Sequence, residues 1–203
     1  MQKKHRIFIA INLPIEVKKQ ILKYEEKWSA LPARWAIEDN LHITLSFLGY
    51  LTDTEIGEAS IAVKKAVENY NSFEISLNKI CYGPLRQFTA SSSLRAAPQG
   101  KLEMPRMVWL MGEKSKELSS LRRDIENALA SSIGFKPEIR SFSPHITLSK
   151  IKMMEFRNLD LEERPEVNEN VNLGFEVSSI EVMESELKRG GPTYTVIESY
   201  QLI

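Results

Sequence analysis

One pentapeptide occurs twice in this chain. Leu41-His42-Ile43-Thr44-Leu45-Ser46 and Pro144-His145-Ile146-Thr147-Leu148-Ser149 both contain His-Ile-Thr-Leu-Ser, offset by 103 residues in a chain of 203. One copy in each half marks an internal duplication, so two related halves are expected. Each copy reads as a strand. On a strand side chains alternate, which sets His42, Thr44 and Ser46 on one face and Ile43, Leu45 and Phe47 on the other. His145, Thr147 and Ser149 repeat this against Ile146 and Leu148. The apolar face packs on a helix. The polar face must look into water or a cleft, because burying imidazole and hydroxyl without partners is costly. Two such strands facing each other across a pseudo-twofold axis enclose two imidazoles and two hydroxyls.

The flanking segments support that architecture. Arg6 to Leu13 is an apolar strand ended by Pro14, and a helical spacing runs from Ile15 to Trp28. Arg34-Trp35-Ala36 is a short strand, and Leu41 to Leu48 a longer one stopped by Gly49. Thr52-Asp53-Thr54-Glu55 has the form of a capping box, with a helix to about Tyr70. Phe73 to Leu77 alternates as a half-exposed strand. Residues 82 to 105 are loop-rich, with room for a strand between Leu85 and Leu94. Met107 to Met111 is a strand, followed by a helix from Lys114 to Ser132 that Gly134 stops. Ile146 to Ile151 is a strand and residues 152 to 170 a charged surface loop. Phe175 to Leu187 and Tyr194 to Leu202 close the chain as a hairpin through Lys188-Arg189-Gly190-Gly191-Pro192. The expectation is α+β, with antiparallel sheets in two pseudo-symmetric lobes.

Composition narrows the function. Lys plus Arg and Asp plus Glu both number 27, so no whole-molecule positive field holds nucleic acid, and any RNA contact must be local. That favours action on an end over coating a strand. Cys81 is the one cysteine and reads as a small apolar residue; no disulfide within the chain or Cys-based metal site can form. The apolar run Ile7 to Leu13 is too short for a signal peptide or membrane span, so a cytoplasmic protein without membrane attachment is expected. No glycine-rich phosphate loop is present, and no carboxylate or cysteine accompanies either histidine at ligand spacing. Neither cofactor nor metal is expected.

Two imidazoles and two hydroxyls suit phosphodiester cleavage without metal. In-line displacement needs a base on the attacking oxygen and an acid on the leaving oxygen, on opposite sides of phosphorus. Histidine titrates near ~6.5 and serves either role at neutral pH. Thr44 and Thr147 can donate to the non-bridging oxygens, where charge builds. The third histidine, His5, reads as a solvated N-terminal residue. Phe47 and Phe142 read as core, and Tyr50 and Trp35 as candidates for a base-stacking rim.

At these residues the sequence resembles the two-histidine (2H) phosphoesterases, whose signature is two His-x-Thr motifs, and among them the RNA 2′,3′-cyclic phosphodiesterases. Arg6 to Pro14 looks like that family's opening strand. Arg34-Trp35 with Asn40 to Gly49 is similar to its first motif, and Arg140-Ser141-Phe142-Ser143-Pro144-His145-Ile146-Thr147-Leu148 to its second. Glu184 to Tyr194 resembles its C-terminal hairpin. Two departures stand out: Ser149-Lys150 in place of Ala-Arg, and a long segment from Tyr82 to Met104 with no family signature. The resemblance implies one bilobal domain over 1–203, helices outside and the active-site cleft between the lobes, with 82–105 as an insert. It implies His42 as proton donor and His145 as acceptor. Arg140 joins Thr44 and Thr147 in binding phosphate, the substrate is an RNA or oligonucleotide end carrying a cyclic phosphate, and the product is a 2′-phosphomonoester. A monomer is expected. Two other readings stay open: another 2H enzyme acting on a nucleotide cyclic phosphate or a 2′-5′ linkage, and a catalytically idle RNA-end binding module.

Overall fold

The computed structural model describes residues 3–84, 104–138, 142–189 and 191–203. Its strands are β1 (His5–Asn12), β2 (Ala33–Trp35), β3 (His42–Leu51), β4 (Phe73–Gly83), β5 (Met107–Gly112), β6 (His145–Ile151), β7 (Asn168–Val177), β8 (Ser179–Lys188) and β9 (Gly191–Gln201). Its helices are α1 (Ile15–Leu22), α2 (Asp53–Val67), α3 (Lys116–Ile133) and α4 (Met153–Asn158). The nine strands among the described residues join one antiparallel sheet in the order β7-β4-β5-β6-β3-β1-β8-β9, with β2 paired to β6.

The two motif strands meet at the middle. β3 and β6 pair antiparallel at Ile43 and Ile146, the same residue of each pentapeptide, so the pseudo-twofold axis passes between them. Outward from it run β3-β1-β8-β9 on one side and β6-β5-β4-β7 on the other. The lobes are therefore not the sequence halves: β4 comes from the first half and lies in the second lobe. β7 begins the path and β8 is next to its other end, yet only Ser178 separates them. A one-residue link of that kind requires the sheet to curl until its ends approach. The seam is hydrogen-bonded there, with Leu202 N–H donating to Ser178 C=O, Ser72 N–H to Ile203 C=O and Ile203 N–H to Tyr70 C=O, each at 2.8 Å.

One face of this half-barrel is packed by the helices. Ile7, Ile9, Ile11, Ile43, Leu110 and Ile146 from the strands meet Val17, Ile21, Val63, Leu121, Ile125 and Leu129 from the helices in one core. The other face carries its own small cluster, Phe8, Ala10 and Met183 with Tyr194 against it. The capping box at Thr52 forms as expected: Glu55 N–H donates to Thr52 Oγ1 at 3.4 Å and Thr52 N–H to Glu55 Oε2 at 2.8 Å. Gly134 closes α3 at φ +66°.

Several boundaries differ from the sequence reading, each for a physical reason. α1 ends at Leu22, and a separate 3-10 turn over Glu25–Trp28 carries the remaining apolar positions. β3 is not stopped by Gly49, which takes φ +82° inside the strand and lets it continue to Leu51. The charged stretch after Lys152 is not all loop. It forms α4, whose Phe156 is buried, and β7 then starts at Asn168. Phe175 to Leu187 is two strands, because the chain changes lobe at Ser178. His5 is not solvated: its side chain is 14% exposed, between Glu184 (2.6 Å) and Asp53 (3.3 Å). The loop-rich reading of 82–105 falls for the most part outside the described residues; Tyr82 and Gly83 end β4. No helix among the described residues is long and apolar enough to cross a membrane.

Candidate active site

His42 and His145 open β3 and β6, one residue before the Ile43–Ile146 pair. Carrying that antiparallel register one residue each way sets His42 level with Thr147 and Thr44 level with His145. All four side chains are half-buried and share the face away from the helices. The predicted constellation is thus assembled from both sequence halves.

The alternation expected beyond the threonines breaks identically in both copies. Opposite β3, Ile9 pairs with Ser46 and Ala10 with Thr44, leaving Leu45 as an extra residue. Opposite β6, Val108 pairs with Ser149 and Trp109 with Thr147, leaving Leu148 as the extra residue. Each bulge shifts the following residues to the other face. Ser46 and Ser149 therefore point into the core and not with the histidines. Ser46 Oγ donates to Glu126 at 2.7 Å, whereas Ser149 Oγ has no hydrogen-bond partner among the described residues. The same shift corrects the reading of Phe47 as core. It is 54% exposed and stands on the histidine face, paired with Phe8. Lys150 occupies the corresponding position in the second lobe and is also exposed.

Both imidazoles are held the same way. His42 Nδ1 donates to Asn40 C=O and His145 Nδ1 to Ser143 C=O, each at 2.8 Å. A carbonyl only accepts, so Nδ1 carries hydrogen in both rings and Nε2 is the titrating nitrogen of each. Thr44 Oγ1 lies 3.1 Å from His42 Nε2 and donates to it when the ring is neutral.

The rings rest on different neighbours. His42 is wedged between Phe8, with ring centroids 5.0 Å apart, and Tyr194, at 4.9 Å edge-on. His145 stacks on Trp109 at 4.0 Å. Gly83 makes room for that stack, since a Cβ there would run into the indole. Burial lowers both histidines below their ordinary value and takes His42 to about 4. Lys18, itself a buried side chain, and His145 add smaller pushes on His42 in the same direction.

Phe8, Tyr194, Trp109 and Gly83 were not singled out from sequence. Phe8 and Trp109 sit in uninterrupted apolar runs, Ile7 to Ile11 and Met107 to Met111, where alternation gives no sign of which residue faces the cleft. Of the other candidates, Phe142 is half-buried against the core, with the Arg122 guanidinium 4.6 Å above its ring. Trp35 pairs with the inward-facing Ser149 and packs on the helix side, so it is no part of the cleft rim. Tyr50 pairs with Arg6 and is 67% exposed on the histidine face. Arg140 lies outside the described residues.

A curled antiparallel sheet with one His-x-Thr strand from each half defines the two-histidine phosphoesterase class. The model of LigT-like phosphoesterases matches residues 11–88 and 108–194, and the chain belongs to that family. A protein of Thermotoga maritima is 30% identical over 198 residues, covering 97% of this chain and 95% of its own. One from Aeropyrum pernix is 33% identical, covering 83% and 86%. One from Escherichia coli K12 is 28% identical, covering 100% and 99%. All three bear the name RNA 2′,3′-cyclic phosphodiesterase. Among solved structures, a Thermus thermophilus protein superposes with TM-score 0.76 at 22% identity over 97% of each chain, a likeness of fold. Escherichia coli LigT complexed with 3′-AMP superposes with TM-score 0.70 at 25% identity over 98% of each chain.

Proposed function

We propose that this enzyme hydrolyses 2′,3′-cyclic phosphate ends of RNA to 2′-phosphomonoesters by two-histidine acid–base catalysis without metal. The observation that carries the mechanism is the matched pair of imidazoles. Each has Nδ1–H tied to a backbone carbonyl and Nε2 left for chemistry, and they flank the pseudo-twofold axis with a threonine beside each.

The cyclic phosphate sits over the axis. His145 Nε2 takes a proton from water as its oxygen bonds to phosphorus. The bond from phosphorus to the ribose 3′ oxygen breaks on the far side, and His42 Nε2 gives that oxygen a proton. The products are a 2′-phosphate and a free 3′-hydroxyl. Thr44 and Thr147 donate to the non-bridging oxygens, and in this reading Arg140 adds its fork of donors. The enzyme works on RNA or oligonucleotide ends as a monomer in the cytoplasm, and residues 1–203 act as one domain.

The donor role asks more of His42 than of its twin. Held near 4 by burial, it is neutral in the free protein at pH 7. A bound phosphate anion beside the ring raises it by favouring the charged form. The pH limbs of kcat, which belong to the substrate complex, therefore lie above those of kcat/KM on the donor side. The decisive assay incubates the protein with an RNA ending in a 2′,3′-cyclic phosphate, in EDTA, and locates the product phosphate by ³¹P NMR. The expected product is the 2′-monoester at undiminished rate. A 3′-monoester, or turnover that stops in EDTA and returns with zinc or magnesium, overturns the mechanism.

A further inference from the structure

The residue two before each histidine holds its ring, but only one of the two is itself tied down. Asn40 and Ser143 both give their carbonyl to an imidazole Nδ1–H. Asn40 also donates from its side-chain amide to the carbonyl of Pro192 at 2.9 Å, whereas the Ser143 hydroxyl donates to nothing among the described residues. Pro192 lies at the start of β9, and β8 and β1 stand between β9 and β3 in the sheet. Three strand spacings are about 14 Å, so the start of β9 reaches Asn40 only by arching over the curled face. The same arch brings Gly191 toward β2 in the other lobe, where Arg34 Nη1 lies 4.0 Å from where a Cβ on that glycine would stand. Two residues after Pro192, on the same face of β9, Tyr194 stands edge-on to His42 at 4.9 Å and to Phe8 at 5.3 Å. His145 is covered differently: its neighbour Trp109 comes from β5, the adjacent strand.

We propose that Asn40 and Tyr194 are positioning residues for the proton donor: the Asn40 amide straps the start of β9 across the cleft, and the strapped strand holds the Tyr194 ring against the His42 imidazole. This rests on the donor role proposed above for His42. A donor must point Nε2 at the leaving oxygen, and an imidazole bonded only at Nδ1 still rocks about that bond. Phe8 stops it on one side and Tyr194 on the other. The Asn40 side chain joins the two restraints, because the residue that holds Nδ1–H also holds the strand that carries Tyr194. Lys18 of α1 and His145 of β6 act on the His42 ring by charge, and the Tyr194 phenol, which burial keeps neutral, acts by covering it. That cover keeps water off the ring and strengthens the pairing of imidazolium with bound phosphate. The acceptor needs no such strap, since water, its reaction partner, has to reach it.

The experiment reads the donor directly and through turnover. In the ligand-free protein, the NMR titration of the His42 ring should move up from about 4 toward the ordinary ~6.5 in Tyr194→Ala and in Asn40→Ala, with His145 unchanged. On a ribonucleoside 2′,3′-cyclic phosphate each variant should lose kcat by about tenfold with little change in KM. A phosphodiester with a p-nitrophenol leaving group should shrink that loss to about twofold or less. Tyr194→Phe, which keeps the ring, should recover most of the loss. The double variant Asn40→Ala/Tyr194→Ala should be no worse than Tyr194→Ala, since Asn40 acts through that ring. Asn40→Ala changes a half-buried surface position and supplies the reading if Tyr194→Ala does not fold. An unmoved His42 titration, losses that multiply in the double variant, or equal losses on both substrates overturn the strap and leave the hydrolase reading standing. Absence of turnover on any cyclic phosphate in the unaltered protein overturns the hydrolase reading, and the donor that the strap would position falls with it.

Discussion

The two copies of His-Ile-Thr-Leu-Ser can be compared residue by residue. The first two differences lie behind the strand. Ser46 is tied to Glu126, which Arg122 pairs at 2.7 Å, while Ser149 has no partner among the described residues. The carbonyl of the bulged Leu45 accepts from Arg122 Nε at 2.9 Å, and that of Leu148 from the backbone N–H of Ala36 at 2.8 Å. The third lies in front, where His42 is enclosed by Phe8 and Tyr194 and His145 rests on Trp109. Duplication supplies the shared part: strand, bulge and tautomer. The unshared part is the setting of each ring, aromatic on two sides at His42 and a single indole at His145.

The largest test removes each histidine. His42→Ala and His145→Ala should each lower kcat/KM by about a hundredfold to ten-thousandfold, and the double variant should be little worse than either, because the pair acts as one unit. A substrate with an activated leaving group needs little help from an acid. It should rescue His42→Ala in part and leave His145→Ala slow; rescue of His145→Ala alone would reverse the roles. If neither single variant loses tenfold, the paired site is wrong.

The threonines come next. Thr44→Ala and Thr147→Ala should each raise the barrier by about 2–4 kcal/mol with the fold intact by circular dichroism. Wild-type kcat/KM in both would remove them from the phosphate's surroundings.

Acid should weaken the ligand-free fold through the histidines. Both are depressed on folding, so the unfolded chain binds more protons and stability rises with pH. The contribution is full above about 6.5 and is lost as pH falls through the folded value, which for His42 is about 4. For His42 that is roughly 3 kcal/mol at most. Urea midpoints of the ligand-free protein should fall across that window and fall less in His42→Asn. Equal slopes in the two proteins would contradict the burial of that ring.

The smallest contrast lies behind the strands. Ser46→Ala strips a hydrogen bond from buried Glu126 and should cost about 1–3 kcal/mol, whereas Ser149→Ala removes a hydroxyl without a partner and should be neutral or slightly stabilising. Equal losses would mean that the asymmetry behind the bulges carries no energy.

Much of this was legible in the residues. The repeat, the α+β class and the four central side chains follow from alternation and identity alone. The bulges were not, because an extra residue in one strand is visible only against its partner, and Ile9 and Val108 are far from the motifs in sequence. That is why Ser46, Ser149 and Phe47 were set on the wrong faces. The aromatic neighbours of the histidines stayed hidden for a related reason: a strand apolar on both faces has no period to read. The break at Ser178 belongs to topology, and no local signal marks where a continuous apolar stretch changes lobe.

The interlaced strand order also bears on how the molecule is made. β1 is synthesised first, but its outer partner β8 only after residue 178. Throughout most of translation, then, the apolar edge from Ile7 to Ile11 is unpaired on one side, a template for neighbouring nascent chains. A message truncated near residue 178, which leaves that edge unpaired for good, should yield aggregate instead of folded protein.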